Sequence, residues 1–246
     1  MKVAFLGATR GMGRSLARLM VERGDELFLL GRNAEELDRS AADLAARRNP
    51  APVIGRAHCD LEEPAGFGPA LDAAAEALGG LDTVVVTAGL FATQDALEAD
   101  HERMRRVLDV DFARTVELCE VARERLLARG GGTLCVFSSV AGDRGRKPVA
   151  LYGAAKAGLS RYLEAVDHRW HAAGLTVVCV KPGFVKTGMT ADLPTPPFAA
   201  EPDAVARRVL RAIDRGTPVV YAPAPWRLIM AVVKRLPRFV MRRLGF

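Results

Sequence analysis

The sequence predicts an α/β fold of the doubly wound kind: a seven-stranded, mainly parallel sheet with helices on both faces, followed by a basic amphipathic C-terminal tail. Three observations predict it. Short apolar runs alternate with helical segments from the first residues onward, the pattern of right-handed βαβ units. A glycine-rich turn joins the first apolar run to the first helix. The chain has 246 residues, half of them hydrophobic, which is enough for one domain around one core.

The elements follow in order. Lys2–Leu6 is a short apolar strand that ends at a glycine. Residues 15–23 read as a helix, with Leu16, Leu19 and Met20 on one face and Gly24 as its stop. Residues 27–30 are a second strand, and 34–48 a helix behind Asn33 as N-cap. Residues 53–58 are a third strand, and Pro64 suits the first turn of the next helix. Residues 81–86 form a β-branched fourth strand. One long helix is expected over 99–129, closed by Gly130, Gly131 and Gly132. Residues 133–137 make a fifth strand, 151–173 a helix stopped by Gly174, and 175–180 a sixth strand stopped by Pro182 and Gly183. Residues 190–202 are proline-rich and loop-like, 203–215 helical, and 218–221 a seventh strand. Residues 1–225 therefore read as one domain, with 226–246 as a tail rather than a second domain.

Charge sorts along the same boundary. The net charge is +6, and residues 226–246 carry six basic residues and no acid, so the body is close to neutral. A neutral body argues against a nucleic-acid surface and for a local role of the tail. Arg227, Lys234, Arg238 and Arg242 lie roughly along one helical face, with Leu228, Ile229, Val232, Leu236 and Phe239 filling much of the rest. Such a helix can lie in a membrane interface, or dock on the body or on another subunit. Cys59, Cys119, Cys135 and Cys179 stand apart in apolar or helical contexts and read as buried reduced thiols. No metal site is expected. No leader is visible and no apolar run is long enough to span a bilayer, so a cytoplasmic protein is expected, with the tail able to reach the inner face of the membrane.

The chemistry begins at Gly7-Ala8-Thr9-Arg10-Gly11-Met12-Gly13, between the first strand and the first helix. There, glycines allow a tight bend and a close approach to a pyrophosphate, and the helix N-terminus offers free N–H groups. A site for NAD wants an acid about 20 residues past the glycines. Here Gly31 and Arg32 stand in that place. Arg32, with Arg10 as a second cation, suits the 2′-phosphate of NADP(H).

The spacing GxxxGxG resembles that of the short-chain dehydrogenase/reductase family, and the resemblance runs from residue 1 to about 221. The family implies a Rossmann-type domain that binds a nicotinamide cofactor. Asp60, beside Leu61, matches the family's adenine-capping acid, and Thr87-Ala88-Gly89 stands where Asn-Ala-Gly is usual. Tyr152-Gly153-Ala154-Ala155-Lys156 is a YxxxK pair on one helical face, with Ser139 thirteen residues before the tyrosine. Lys181-Pro182-Gly183-Phe184-Val185-Lys186-Thr187 follows the sixth strand as the family's pattern requires. The resemblance assigns Tyr152 as proton donor or acceptor, Ser139 as the hydrogen bond to the carbonyl oxygen, and Lys156 to the nicotinamide ribose as well as to the phenol. Pro182, Gly183, Val185 and Thr187 would border the nicotinamide, with Thr187 on its carboxamide. A neighbouring ammonium is expected to lower the phenol's pKa from about 10. Asp111 stands where the family commonly has an asparagine that bends the long helix. Its carboxylate should oppose the phenolate.

From about residue 133 onward the chain is also similar to reductases that act on polyprenyl-phosphoryl 2-keto-pentose. That likeness suggests a ketone on a lipid-linked or apolar carrier, and Arg144, Arg146 and Lys147 would suit a phosphate on it. The expectation is thus an NADPH-dependent enzyme interconverting a ketone and a secondary alcohol, assembled as a homodimer or homotetramer through the long fourth helix and the helix of Tyr152. Two alternatives remain at this stage: a reductase of long ketoacyl chains, and a sensor or scaffold that binds NADP without turnover. The intact Ser139, Tyr152 and Lys156 argue against the last.

Overall fold

A computed structural model describes residues 1–245. Seven strands lie in one sheet: β1 (Lys2–Leu6), β2 (Glu26–Gly31), β3 (Gly55–His58), β4 (Thr83–Val86), β5 (Gly132–Phe137), β6 (Leu175–Pro182) and β7 (Val219–Ala222). Their order is β3-β2-β1-β4-β5-β6-β7, and every neighbouring pair is parallel. The order reverses between β1 and β4, which opens a crevice at their carboxyl ends.

Both faces are covered, as the unbroken apolar character of β1, β4 and β5 demands. On one face, α1 (Gly11–Glu22), α2 (Ala34–Ala45) and α8 (Pro202–Arg215) pack over Val3, Phe5, Leu27, Leu29 and Val180. On the other, α3 (Phe67–Leu78), α6 (Thr115–Ala128) and α7 (Ala150–Trp170) pack over Ala4, Leu30, Val84, Val86 and Val136. Alternate residues of β1 thus feed two separate cores.

The structure differs from the sequence expectation chiefly in one place. The helix expected over 99–129 runs without a gap from His101 to Ala128, as α5 (His101–Leu108), a π-helical turn at Asp109–Arg114 and α6, and a separate short helix, α4 (Gln94–Ala99), precedes it. Asp100 caps α5 by accepting from the Arg103 N–H, which explains the break after Ala99. The π turn sits where Asp111 turns inward, and the Thr115 hydroxyl donates to the Val110 carbonyl that the irregularity frees. The third strand starts at Gly55 rather than residue 53, and α1 starts at Gly11, inside the glycine turn.

The tail folds into α9 (Pro225–Val233) and α10 (Arg238–Arg243). Met230 and Val233 are buried against Val140, while Leu228 and Val232 face away and are exposed. Arg144 donates to the Leu236 carbonyl and Lys147 to the Arg242 carbonyl, each at 2.7 Å. The tail is thereby docked on the loop that follows β5. Among the described residues, no helix is long and apolar enough to cross a membrane.

Candidate active site

The glycine turn is built by exclusion. A Cβ on Gly13 would lie 2.1 Å from the Gly7 carbonyl oxygen and 2.6 Å from the Thr87 hydroxyl, so the start of α1 can approach β1 and β4 only as glycine. Thr87 donates to the Gly7 carbonyl at 2.9 Å and so ties the turn to the end of β4. In front of the turn lies a cavity of about 670 Å³, sited at the crevice where the strand order reverses. Its walls include the sequence-predicted Gly7, Thr9, Arg10, Gly11, Met12, Gly13, Arg32, Asp60, Leu61, Ala88, Gly89 and Thr187. A cradle that a Cβ would fill, at a helix N-terminus, fits the pyrophosphate of a dinucleotide.

The cations at the outer edge are already engaged. Arg10 pairs with Glu36, and Arg32 lies 3.7 Å from Glu62, which also takes two hydrogen bonds from Arg106. Glu36 and Glu62 both line the cavity, and sequence reasoning passed over them. Their partners lie on other elements, so no local signal marks them. The cavity also takes in Asn33, Cys59, Val110 and Met189. The Cys59 thiol is pushed up to about 11 by burial, with Asp60 adding to the shift, and remains protonated at neutral pH.

Behind the wall formed by Gly89, Leu90 and Phe91 lies a buried ionic cluster. Lys156, from the second turn of α7, is 4 % exposed, and its ammonium sits 3.3 Å from Asp111, which is fully buried. The Leu90 N–H donates to the same Asp111 oxygen at 2.9 Å, while the other oxygen has no partner among the described residues. Burial pushes the Asp111 carboxyl above the usual carboxylate range, against the pull of Lys156 and Leu90. Burial presses Lys156 downward, but the Asp111 carboxylate and the Tyr152 phenol outweigh it and the ammonium ends up raised. The cluster therefore keeps Lys156 charged at neutral pH.

Tyr152 stands one turn before Lys156, with the ammonium 5.7 Å from its ring centre. Its phenol is raised, not lowered as the sequence led one to expect. Burial is the largest cause, and Asp111 adds to it. Lys156, Ser139 and Arg146 pull downward without prevailing. The Phe91 ring packs edge-on against Tyr152 at 5.1 Å between centres. Ser139 begins the short turn Val140–Asp143 after β5, where its hydroxyl accepts from the Ala141 N–H.

The structure thus places the predicted residues in two groups. The glycine turn and its partners line the open cavity. Ser139, Tyr152, Lys156 and Asp111 cluster behind the Gly89–Phe91 wall at the carboxyl end of β5, and they do not line the cavity. Pro182, Gly183 and Val185 also lie outside it. Pro182 and Val185 are buried. A Cβ on Gly183 would meet the indole nitrogen of Trp226 at 2.0 Å, so a tail side chain occupies the space over the turn after β6. Neither Phe91 nor Trp226 was picked out by sequence reasoning.

A parallel sheet with a glycine cradle at its reversal point, a Ser just after β5 and a Tyr and Lys one turn apart on α7 defines a dinucleotide-binding α/β oxidoreductase. The comparisons agree. The family model for short chain dehydrogenase matches residues 2–197. An uncharacterized oxidoreductase of Mycobacterium tuberculosis is 31% identical over 242 residues, covering 98% of this chain and 96% of the relative. Carbonyl reductase family member 4 of Xenopus laevis is 26% identical, covering 86% of this chain and 90% of the relative. An actinorhodin polyketide ketoreductase solved with NADPH superposes with a TM-score of 0.79 at 23% identity, covering 90% of this chain and 95% of that one. The chain belongs to the short-chain dehydrogenase/reductase family and is an oxidoreductase of the nicotinamide-cofactor type.

Proposed function

We propose that this protein is an NADP(H)-dependent carbonyl reductase that interconverts a ketone and a secondary alcohol. The observation that carries the reading is the cluster of Tyr152 and Lys156 set beside Ser139, one wall away from a cradle suited to a dinucleotide. The bound cofactor supplies the hydride. The chain's own residues handle the proton and the geometry.

Tyr152 carries its proton at neutral pH, because burial outweighs the ammonium beside it. It is therefore set to donate that proton to a carbonyl oxygen as charge develops there, which favours the direction of reduction. Ser139 positions the same oxygen. Lys156 steadies the phenolate left behind and is held charged by Asp111. Gly7, Thr9, Gly11, Met12 and Gly13 take the pyrophosphate, Asp60 and Leu61 border the adenine, and Ala88 and Gly89 let the chain pass close to the cofactor. Pro182, Gly183, Val185 and Thr187 shape the nicotinamide end. The preference for NADP rests on Arg10 and Arg32 at the cavity edge, both more than half exposed and able to turn from Glu36 and Glu62 toward a 2′-phosphate.

The substrate reading is an apolar or lipid-linked ketone. Met189, Phe198, Leu228, Val232 and Phe239 are exposed apolar side chains on the cavity lip, the loop before α8 and the tail. With the inner face of the tail docked on the body, the outer face of Leu228 and Val232 amid basic residues fits peripheral contact with an anionic membrane. Vesicles of anionic lipid should sediment the protein more than neutral ones do.

The test of the activity is NADPH consumption with a panel of ketones, including long-chain and prenyl-linked ones. Tyr152→Phe should cut kcat by about 10²- to 10⁴-fold while leaving NADPH binding in place. Turnover that survives this change would remove Tyr152 from the chemistry. A preference for NAD that survives Arg32→Ala would remove the NADP assignment.

A further inference from the structure

Three cations follow one another in the loop between β5 and α7: Arg144, Arg146 and Lys147. The structure separates their roles. Arg144 and Lys147 are spent on tail carbonyls, those of Leu236 and Arg242. Arg146 is not. Among the described residues its side chain makes no ion pair and no hydrogen bond, although its Nε is buried. It stands just before the short turn Lys147–Val149, which leads directly into α7, the helix that carries Tyr152. A second orphaned donor, the indole N–H of Trp226, is buried over Gly183 on the turn after β6.

Buried donors without partners are rare in folded proteins, and the Nε of Arg146 is one of them. The surrounding chain does supply acids elsewhere. Asp143, three residues earlier, is taken by Lys181 and by the Tyr221 hydroxyl, each at 2.6 Å. The fold thus satisfies these neighbouring charges and leaves Arg146 open at the start of the helix that carries the proton donor. Its planar fork matches a carboxylate or a phosphate.

We propose that Arg146 binds an anionic group of the ketone substrate, a carboxylate or a phosphate carried near the carbonyl. The inference rests on the carbonyl-reduction reading and adds the substrate class. The apolar part of such a substrate would leave the site toward the exposed face of the tail, and its charge would stay at Arg146.

The test uses the full chain with NADPH and matched ketones: dihydroxyacetone phosphate against dihydroxyacetone, and 4-oxopentanoate against its methyl ester. The first pair reports on phosphate and the second on carboxylate. At least one anion should be favoured in kcat/KM by about 10- to 100-fold, the worth of one charge-assisted hydrogen bond in a partly buried site. Arg146→Gln should abolish that preference and leave the neutral ketone within a few-fold of its original rate. Arg146→Lys should restore part of it. Calorimetry on the NADPH-loaded protein reads anion binding without turnover, and a melting curve shows that each variant folds. Equal handling of charged and neutral ketones by the unaltered protein overturns the proposal. So does an Arg146→Gln variant that loses both alike with a shifted pH profile, since Arg146 would then act only through Tyr152. Turnover of neutral ketones without anion preference sinks this inference and spares the reductase reading. Anion binding that depends on Arg146, with no ketone turned over, keeps the anion site but removes the reductase reading and with it the assignment of that anion to a ketone substrate.

Discussion

Asp111 carries the largest departure of this chain from its family at the level of single residues. A carboxylate in place of the usual asparagine sits fully buried, with Lys156 as its counter-charge. Two outcomes follow. Asp111→Asn removes a charge that holds the Tyr152 proton on, so the limb of the pH–rate profile set by the phenol should move to lower pH in both directions of reaction. An unmoved profile would exclude Asp111 from the proton path. Conversely, Lys156→Ala leaves the carboxylate buried and alone, and should cost about 3–5 kcal/mol of stability at pH values where Asp111 is charged. Because the Asp111 pKa is raised in the folded state, the folded chain holds that proton more tightly than the unfolded one. The deficit should be full above the raised pKa and shrink as pH falls through it, which thermal unfolding across a pH series would measure. The type of these residues was legible in the sequence, since Tyr152, Lys156 and Ser139 stand at informative spacings. The sign of the phenol's shift was not, because it turns on burial, and burial depends on which side chains close over the ring.

Among the elements, the strands were legible to within a few residues, since short strand segments bounded by turn residues and alternating with helices leave little choice. The glycine turn was equally legible, and its steric basis makes a firm prediction. Gly13→Ala places a methyl group against the Gly7 carbonyl, so it should abolish NADPH binding and lower the melting temperature. Binding preserved in that variant would mean that the turn has room the structure does not show. The long helix was legible as a continuous element, but the π turn inside it was not. The π turn at Asp109–Arg114 answers to the inward aim of Asp111, and periodicity carries no trace of that. The docking of α9 was left open in sequence because its two apolar faces look alike. Structure assigns Met230 and Val233 inward, Leu228 and Val232 outward. Met230→Ala should therefore destabilise by about 2–5 kcal/mol, whereas Leu228→Ala should be close to neutral, a contrast that denaturant melts can read.

For the whole molecule, the two ends of the site belong to different parts of the chain. The nucleotide crevice is made mostly by the turns after β1, β2, β3 and β4, with Val110, Thr187, Gly188 and Met189 joining from later in the chain. The side beside Tyr152 is completed by the loop after β5 and by the tail. Sedimentation would give the number of chains that assemble.

The clamp of the last residues on the loop after β5 gives that division a practical edge. A protease that nicks the exposed Arg235 would free residues 236–245 from Arg144 and Lys147, which hold them to that loop, while the glycine cradle stays intact. The cut protein should still retain its coenzyme on an affinity column yet waste it on nothing. Severing one peptide bond would thus part holding a reductant from using it.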